Sequence, residues 1–499
     1  MSKRIQSEKG ENTMNTYLNA LTNENNYCYT ENGGLAHNST RSYLQDMFGL
    51  AAAYRTRSDA DCIVLFKDAY KENPEYALKC LFYVRAVREG QGERRYFKTV
   101  YKWLAGYDVD AARRNMKFIP ELGRWDDLFC LVGTDLEEEM FLFIKNQLAT
   151  DVMSKTPSLL AKWLPSENTS SMATRSLAYQ FRKYLGWTAK QYRKTLSILR
   201  ARIKVLERLM SENRWDEIEF DKIPSKAGFK YRNTFAHKEV TAARYAAFMA
   251  SKETKVNAKV LYPYECVAAA RNRIGSPAER EAINKYWDNL ANYFAEKTFN
   301  GLAVVDVSGS MYGCEASAPI NVAISLGLYC ADKAKGPFHD HFITFSSRPQ
   351  LVRVTGVDFV DKVNRMGHAD WGMNTNLEAT FEMLLKTAVQ NHVAQEDLPE
   401  NLIIISDMEI DAATNYYARG NRNTMMENMR QKWARYGYKM PKLVYWNVQA
   451  RNNRFLDNDP NATYISGFSP TIFEQLMTGK TGYELMMEAL NKPCFADIK

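Results

Sequence analysis

The sequence is short of the residues that build metal clusters and of the runs that cross membranes. It carries six histidines in 499 residues, and its eight cysteines (Cys28, Cys62, Cys80, Cys130, Cys266, Cys314, Cys330 and Cys494) include no C-x-x-C pair. Structural zinc sites draw their four ligands from such pairs, so none is expected. The longest apolar stretches, such as Leu302 to Val305 and Leu402 to Ile405, are strand-sized, far below the roughly 20 residues that span a bilayer. The basic opening Met1-Ser-Lys-Arg-Ile is followed by no apolar segment, which is not the build of a secretory signal. Scattered thiols without a signal predict reduced cysteines in a cytoplasmic protein with no membrane partner.

What is present is the balance of a globular chain with a real core: 45% hydrophobic and 25% charged residues. At 57.4 kDa the chain is too long for one ordinary domain. Its charge is unevenly divided. Residues 1–300 hold 47 Lys and Arg against 36 Asp and Glu, whereas residues 301–499 hold 19 against 22. The excess peaks between Arg175 and Arg208, where Arg175, Arg182, Lys183, Lys190, Arg193, Lys194, Arg200, Arg202, Lys204 and Arg208 face Glu207 alone. A solvated helix face normally mixes signs, because like charges at i,i+4 repel. An unmixed run of this length points to a polyanionic partner. The plainer alternative is a solubilising surface.

Residues 1–40, rich in Asn, Thr, Glu and Gly, read as an irregular lead-in. From 41 to 298 the pattern is helical: Tyr43, Met47, Leu50 and Tyr54 recur at helical spacing, and Tyr76 to Val87 and Tyr192 to Leu209 continue it. Breakers such as Asn73-Pro74, Gly90-Gln-Gly92 and Ser276-Pro277 separate short helices, which suggests stacked helical hairpins, an α-solenoid. From 299 to 499 apolar strands alternate with helices: strands at Gly301–Asp306, His339–Phe345, Asn401–Asp407 and Lys442–Asn447, and helices at Ala318–Lys333, Leu377–Asn391 and Met425–Tyr436. That alternation predicts an α/β, doubly wound parallel sheet.

In open α/β sheets, sites form beyond the carboxyl ends of the strands. Asp306 and Asp407 stand at two such ends, Ser308 and Ser310 follow the first strand, and Thr375 sits on the loop Trp371-Gly-Met-Asn-Thr375 before a helix. Two carboxylates and three hydroxyls make an all-oxygen site for a hard divalent ion: Mg²⁺ first, with Mn²⁺ or Ca²⁺ as alternatives. Two carboxylates just neutralise such an ion, so an outside carboxylate or phosphate can complete its shell. No second carboxylate cluster for a two-metal site and no nearby histidine base accompany it, and Asp306-Val-Ser-Gly-Ser310 is not a G-x-S-x-G elbow. The expectation is therefore a binding protein and not an enzyme.

Asp306, Ser308, Ser310, Thr375 and Asp407 resemble the metal-ion-dependent adhesion site of von Willebrand factor A domains. The segment Gly301-Leu-Ala-Val-Val-Asp-Val-Ser-Gly-Ser-Met311, placed after a helical half, is similar to the Ro autoantigen family: a TROVE module of HEAT-like helices closed into a ring, then a von Willebrand A domain. Leu177-Ala-Tyr-Gln-Phe-Arg-Lys-Tyr-Leu-Gly-Trp187 resembles that family's basic RNA-facing helix, although Gln180 and Tyr184 fall where the family tends to place positive charge. Glu31-Asn-Gly-Gly-Leu, Gly90-Gln-Gly-Glu-Arg-Arg95, Gly123-Arg-Trp-Asp-Asp127, Lys162-Trp-Leu-Pro-Ser-Glu167 and Leu261-Tyr-Pro263 look closer to an uncharacterised plant-and-phage branch of this architecture. The resemblance implies a ribonucleoprotein component that binds small structured or misfolded RNA. Candidate RNA contacts are Arg175, Arg182, Lys183, Lys190, Arg193 and Lys194, with Arg94 and Arg95 on a helix–helix turn. The competing reading is a protein scaffold that grips an acidic partner residue through the metal, without RNA. Smaller signals are His339-Asp-His341, expected to face solvent more than to bind metal, and the aromatics Tyr179, Phe181, Tyr184, Trp187 and Tyr192, expected to be mostly core.

Overall fold

The computed structural model describes residues 26–499 apart from 295–297, 314, 346–347, 368–374, 412–424, 458, 460–461 and 477–479. Cys314 and the loop residues Trp371 to Asn374 lie outside the described residues. Numbering only helices of eight residues or more, the first unit contains α1 (Tyr43–Leu50), α2 (Asp59–Glu72), α3 (Pro74–Arg85), α4 (Arg95–Tyr107), α5 (Glu137–Met153), α6 (Met172–Leu185), α7 (Ala189–Arg202), α8 (Glu239–Ala250), α9 (Pro263–Arg271) and α10 (Pro277–Asp288). Local chemistry sets their ends. Ser58 and Asp61 form a capping box at α2, Asn73 caps α3 with Pro74 in its first turn, and Thr188 and Gln191 form a capping box at α7. The Gly90–Arg95 segment is the turn between α3 and α4, as its composition suggests, tied down by Gln91 N and Glu93 N donating to Tyr83 O and Val84 O.

Ahead of these helices, the described part of the expected irregular lead-in, residues 26–40, carries regular structure. Strands β1 (Tyr27–Tyr29) and β2 (Leu35–His37) pair antiparallel around the turn Thr30–Gly34. Gly33 has φ +84° in that turn, and a Cβ on Gly34 would stand 2.9 Å from Asp411 O. The two glycines therefore admit both the turn and its close approach to the second unit.

That second unit holds β3 (Gly301–Asp306), α11 (Pro319–Lys333), β4 (His341–Phe345), β5 (Leu351–Arg353), α12 (Phe359–Gly367), α13 (Leu377–Gln390), β6 (Asn401–Ser406), α14 (Met425–Arg435), β7 (Lys442–Asn447), β8 (Thr463–Ser466) and α15 (Gly482–Leu490). The sheet order is β5-β4-β3-β6-β7-β8, parallel except for β5. The expected all-parallel sheet is thus mixed at one edge. The link from β4 to β5 is too short for a crossover, so β5 returns as a hairpin strand. Counted within the sheet this is the 3-2-1-4-5-6 order of doubly wound folds, whose crevice lies where the connections diverge from the first strand. Here that is the carboxyl ends of β3 and β6.

The two units share a core. One buried cluster runs from Phe82, Tyr96 and Leu104 of the helical unit to Ala303, Val305, Ile403 and Trp446 on one face of the sheet. The opposite face, with Leu302, Val304, Ile404 and Tyr445, packs with Phe381 of α13 and Met426 and Met429 of α14. Both ends of the helical run rest on the α/β unit. At the first end, Gly49 of α1 meets Tyr464 of β8, and Asn115 exchanges hydrogen bonds with Lys499 at 2.6 and 3.1 Å. At the last, Trp287 stacks on Phe359 at 4.0 Å and Arg280 pairs with Asp358 at 2.7 Å.

Candidate functional site

The crevice at the ends of β3 and β6 collects polar groups in an otherwise apolar sheet. Asp306 is fully buried; its Oδ1 accepts from Ser308 N at 2.8 Å and its Oδ2 from Ser406 Oγ at 2.5 Å. Burial, with the charge of Asp407 beside it, pushes its carboxyl up to about 7. Ser308 and Ser310 bring their hydroxyls within 3.1 Å of each other across the Gly309–Met311 turn. Asp407, also buried, accepts from Glu409 N at 3.3 Å and pairs with Arg451 Nη2 at 3.0 Å. Met408 adopts φ +66° in the turn between them, a costly conformation for a non-glycine residue.

Thr375 stands apart from this group. Its hydroxyl donates to Asp411 Oδ1 at 2.7 Å and accepts from Asn32 Nδ2 at 2.9 Å. Among the described residues no hydrogen bond joins it to Asp306, Ser308, Ser310 or Asp407. The sequence reading missed Ser406, Glu409, Asp411 and Arg451, and above all Glu31 and Asn32, which reach the crevice from the N-terminal hairpin. The Asn-Gly pair between Tyr-Cys-Tyr and Leu-Ala-His was a usable hairpin signal. His339 and His341 each bond a backbone carbonyl through Nδ1, at 2.9 and 2.7 Å. Among the described residues no group of three or more His, Cys, Asp or Glu is placed to hold a metal.

The basic run does not act as one block. Arg182 pairs with Glu167 at 2.7 Å and donates to Trp187 O, and Arg193 lies 3.6 Å from the same carboxylate. Arg200 is turned inward onto Ala161 O, Leu164 O and Ser166 Oγ. Arg175, Lys183, Lys190 and Lys194 are exposed on α6 and α7. Arg94 pairs with Asp126 and Asp127, and Arg95 with Asp59, so acids of their own unit neutralise both. Of the aromatics, Phe181 and Tyr192 are fully buried while Tyr179 is 54% exposed.

A cleft of about 1040 Å³ opens between the 162–169 segment, α7 and the short helices Leu206–Ser211 and Ser225–Lys230. Arg124, Lys162, Arg193, Arg200, Arg208, Lys226 and Lys230 line it against Glu167, Glu207 and Glu212. Arg124 covers Trp163 at 4.0 Å, Lys226 pairs with Glu265 and Arg208 with Glu212. Lys162 and Lys230 lean on Trp163 and Tyr231 and have no acidic partner among the described residues.

The architecture is thus a helical unit closed onto an α/β unit, with an oxygen-lined crevice in the second and a cationic cleft in the first. Residues 30–140 and 144–298 match a domain of unknown function, DUF2828, and residues 300–492 match a second, DUF7788. An uncharacterized protein of Acanthamoeba polyphaga mimivirus is 30% identical over 501 residues, covering 91% of this chain and 85% of that one. The chain belongs to the DUF2828 family. Among solved structures, the crystal structure of the Deinococcus radiodurans RO (RSR) protein superposes with a TM-score of 0.38 at 13% identity, covering 92% of this chain and all of that one. At that level of superposition no residue role passes from one chain to the other. No helix among the described residues is long and apolar enough to cross a membrane.

Proposed function

We propose that the chain is a cytoplasmic RNA-binding protein that works by binding and not by catalysis, and that its α/β unit holds a divalent metal ion. The observation that carries the RNA reading is the cleft: seven cationic side chains against three carboxylates in a groove of about 1040 Å³. Such an excess neutralises a phosphodiester backbone, and the exposed Arg175, Lys183, Lys190 and Lys194 on neighbouring helices extend the positive field. The closure of both helical ends onto the α/β unit supports a ring of HEAT-like helices, with the division of units near residue 299. The ligand that fits is a single-stranded end or loop of a small structured or misfolded RNA, whose backbone is free to follow a groove. Titrating a labelled oligoribonucleotide across a salt series tests this. Affinity should fall with salt, and an affinity that is flat in salt, or absent at low salt, rejects the reading.

The metal reading rests on donor chemistry. Asp306 is a fully buried carboxylate with no cationic partner among the described residues, and a buried charge of that kind requires compensation. The Ser308 and Ser310 hydroxyls at 3.1 Å stand near the roughly 3 Å edge of an octahedron whose ligands lie about 2.1 Å from Mg²⁺. Asp306, Ser308, Ser310 and Asp407 would hold the ion, while Thr375 is engaged by Asp411 and Asn32. When bound, the ion supplies a Lewis-acidic position that accepts an outside carboxylate or phosphate. Mg²⁺ is favoured over Mn²⁺ or Ca²⁺ by the compact, hard donor set.

A further inference from the structure

The N-terminal hairpin sits on the mouth of this crevice, and its turn is bonded to the loop that carries the candidate ligands. Thr30 Oγ1 donates to Ile410 O, Glu31 N to Glu409 Oε2 at 2.6 Å, and Asn32 Nδ2 to Glu409 O at 2.7 Å and to Thr375 Oγ1 at 2.9 Å. Farther along, His37 and Phe455 exchange backbone hydrogen bonds at 2.8 and 2.9 Å. The turn therefore presents one carboxylate, Glu31, at the point where the adhesion-site reading calls for a carboxylate from outside.

We propose that Glu31 is that carboxylate: it closes the metal site in cis, so that an acidic residue of another molecule gains the metal only after the hairpin lifts. The proposal rests on the metal reading above. Arg451 shows how the closure works. Its guanidinium spans the two carboxylates, with Nη1 2.8 Å from Glu31 Oε2 and Nη2 3.0 Å from Asp407 Oδ2. A cation is thus already shared between the hairpin and the crevice, at the mouth, where the Glu31 and Arg451 side chains are 43% and 32% exposed. One monovalent group does not balance the site. Arg451 is already divided between Glu31 and Asp407, and Arg454 lies 3.9 Å from Glu409. Asp306 is the fully buried carboxylate left without a cationic partner among the described residues, and it is there that a divalent ion would sit. Glu31 Oε1 also accepts from Asn452 Nδ2 at 3.0 Å, so Glu31 must leave both Asn452 and Arg451 to reach an ion beside Asp306. Because the turn is already anchored through Thr30 and Asn32, Glu31 acts at the high effective concentration of an intramolecular ligand.

Mn²⁺ binding to the full chain, followed by calorimetry and by the paramagnetic resonance of the free ion, tests this. Glu31→Gln keeps the side-chain shape and removes one negative ligand, so Mn²⁺ affinity should fall at least tenfold, while Asp306→Asn should abolish binding. As a second readout, Mn²⁺ should slow alkylation of Cys28, which lies on β1 and is half-buried, in the wild type and not in Glu31→Gln. If Glu31→Gln binds Mn²⁺ as the wild type does, and Cys28 is protected equally in both, the cis ligand is overturned and the metal site stands. If the wild type binds no Mn²⁺, the metal reading itself fails and the proposal fails with it.

Discussion

Replacing Lys162 and Lys230 together by alanine separates a cleft that tracks phosphate from a surface that is merely charged. The cleft lining carries a net excess of four positive charges. If each neutralises one phosphate of a single strand, log affinity falls against log salt with a slope of about −3, roughly 50-fold between 50 and 200 mM. Lys162 and Lys230 hold no carboxylate or carbonyl among the described residues, and each sits in the last turn of a short helix, where a cation contributes only about 0.3–1 kcal/mol, so their loss should leave the fold intact. The slope should then halve, and the same salt step should cost only about sevenfold in affinity. Arg182 and Arg200 are the wrong probes, because they clamp Glu167, Trp187 O and the 161–166 backbone. Fluorescence polarisation of a labelled oligoribonucleotide gives the slopes, and circular dichroism checks the fold. A double variant with the wild-type slope would refute the cleft as the path of the RNA.

Three further outcomes are expected. His37 is fully buried and burial holds its imidazole down at about 4. It therefore contributes about 3 kcal/mol that is present above pH 6.5 and lost as the pH falls towards 4. Denaturant unfolding should show the gap between wild type and His37→Gln closing over that range, and parallel curves would rule it out. Asp127 is fully buried between Arg85 and Arg94, with Nε atoms at 2.7 and 2.5 Å; Asp127→Ala strands the buried Arg85 guanidinium, leaves Arg94 with Asp126 alone, and should cost about 3–5 kcal/mol in urea unfolding. A loss below about 1 kcal/mol would contradict the triad. Mg²⁺ at a hundredfold over its Kd should stabilise the wild type by about 2.7 kcal/mol against EDTA and leave Asp306→Asn unmoved; equal thermal shifts in both would dismiss the assigned ligands.

Much of the α/β unit was legible because its signals are local. The apolar runs at β3, β6 and β7 are buried along nearly their whole length, and the helix expected over Leu377–Asn391 is observed over Leu377–Gln390. The elements that escaped are short. β5 has three residues and no buried one, and β1 and β2 have three each, too few for a period to show. The crevice was half legible: Asp306, Ser308, Ser310 and Asp407 follow strands that can be recognised from sequence, whereas Thr375 is held by Asp411 and Asn32.

Sequence alone determined where the longer strands and helices lie, because caps, prolines and apolar periodicity act between near neighbours. It also determined that positive charge concentrates in the helical half. Only the tertiary structure decided which of those charges are free. Glu167 takes up Arg182 and lies beside Arg193, and backbone carbonyls take up Arg200, leaving Lys162 and Lys230, which no charge run contains, to face the cleft without an acid. It also brought Glu31 to Arg451, more than 400 positions away along the chain. Pairing of that kind is set by the packing of one unit against another, and neither residue's neighbours in the sequence encode it.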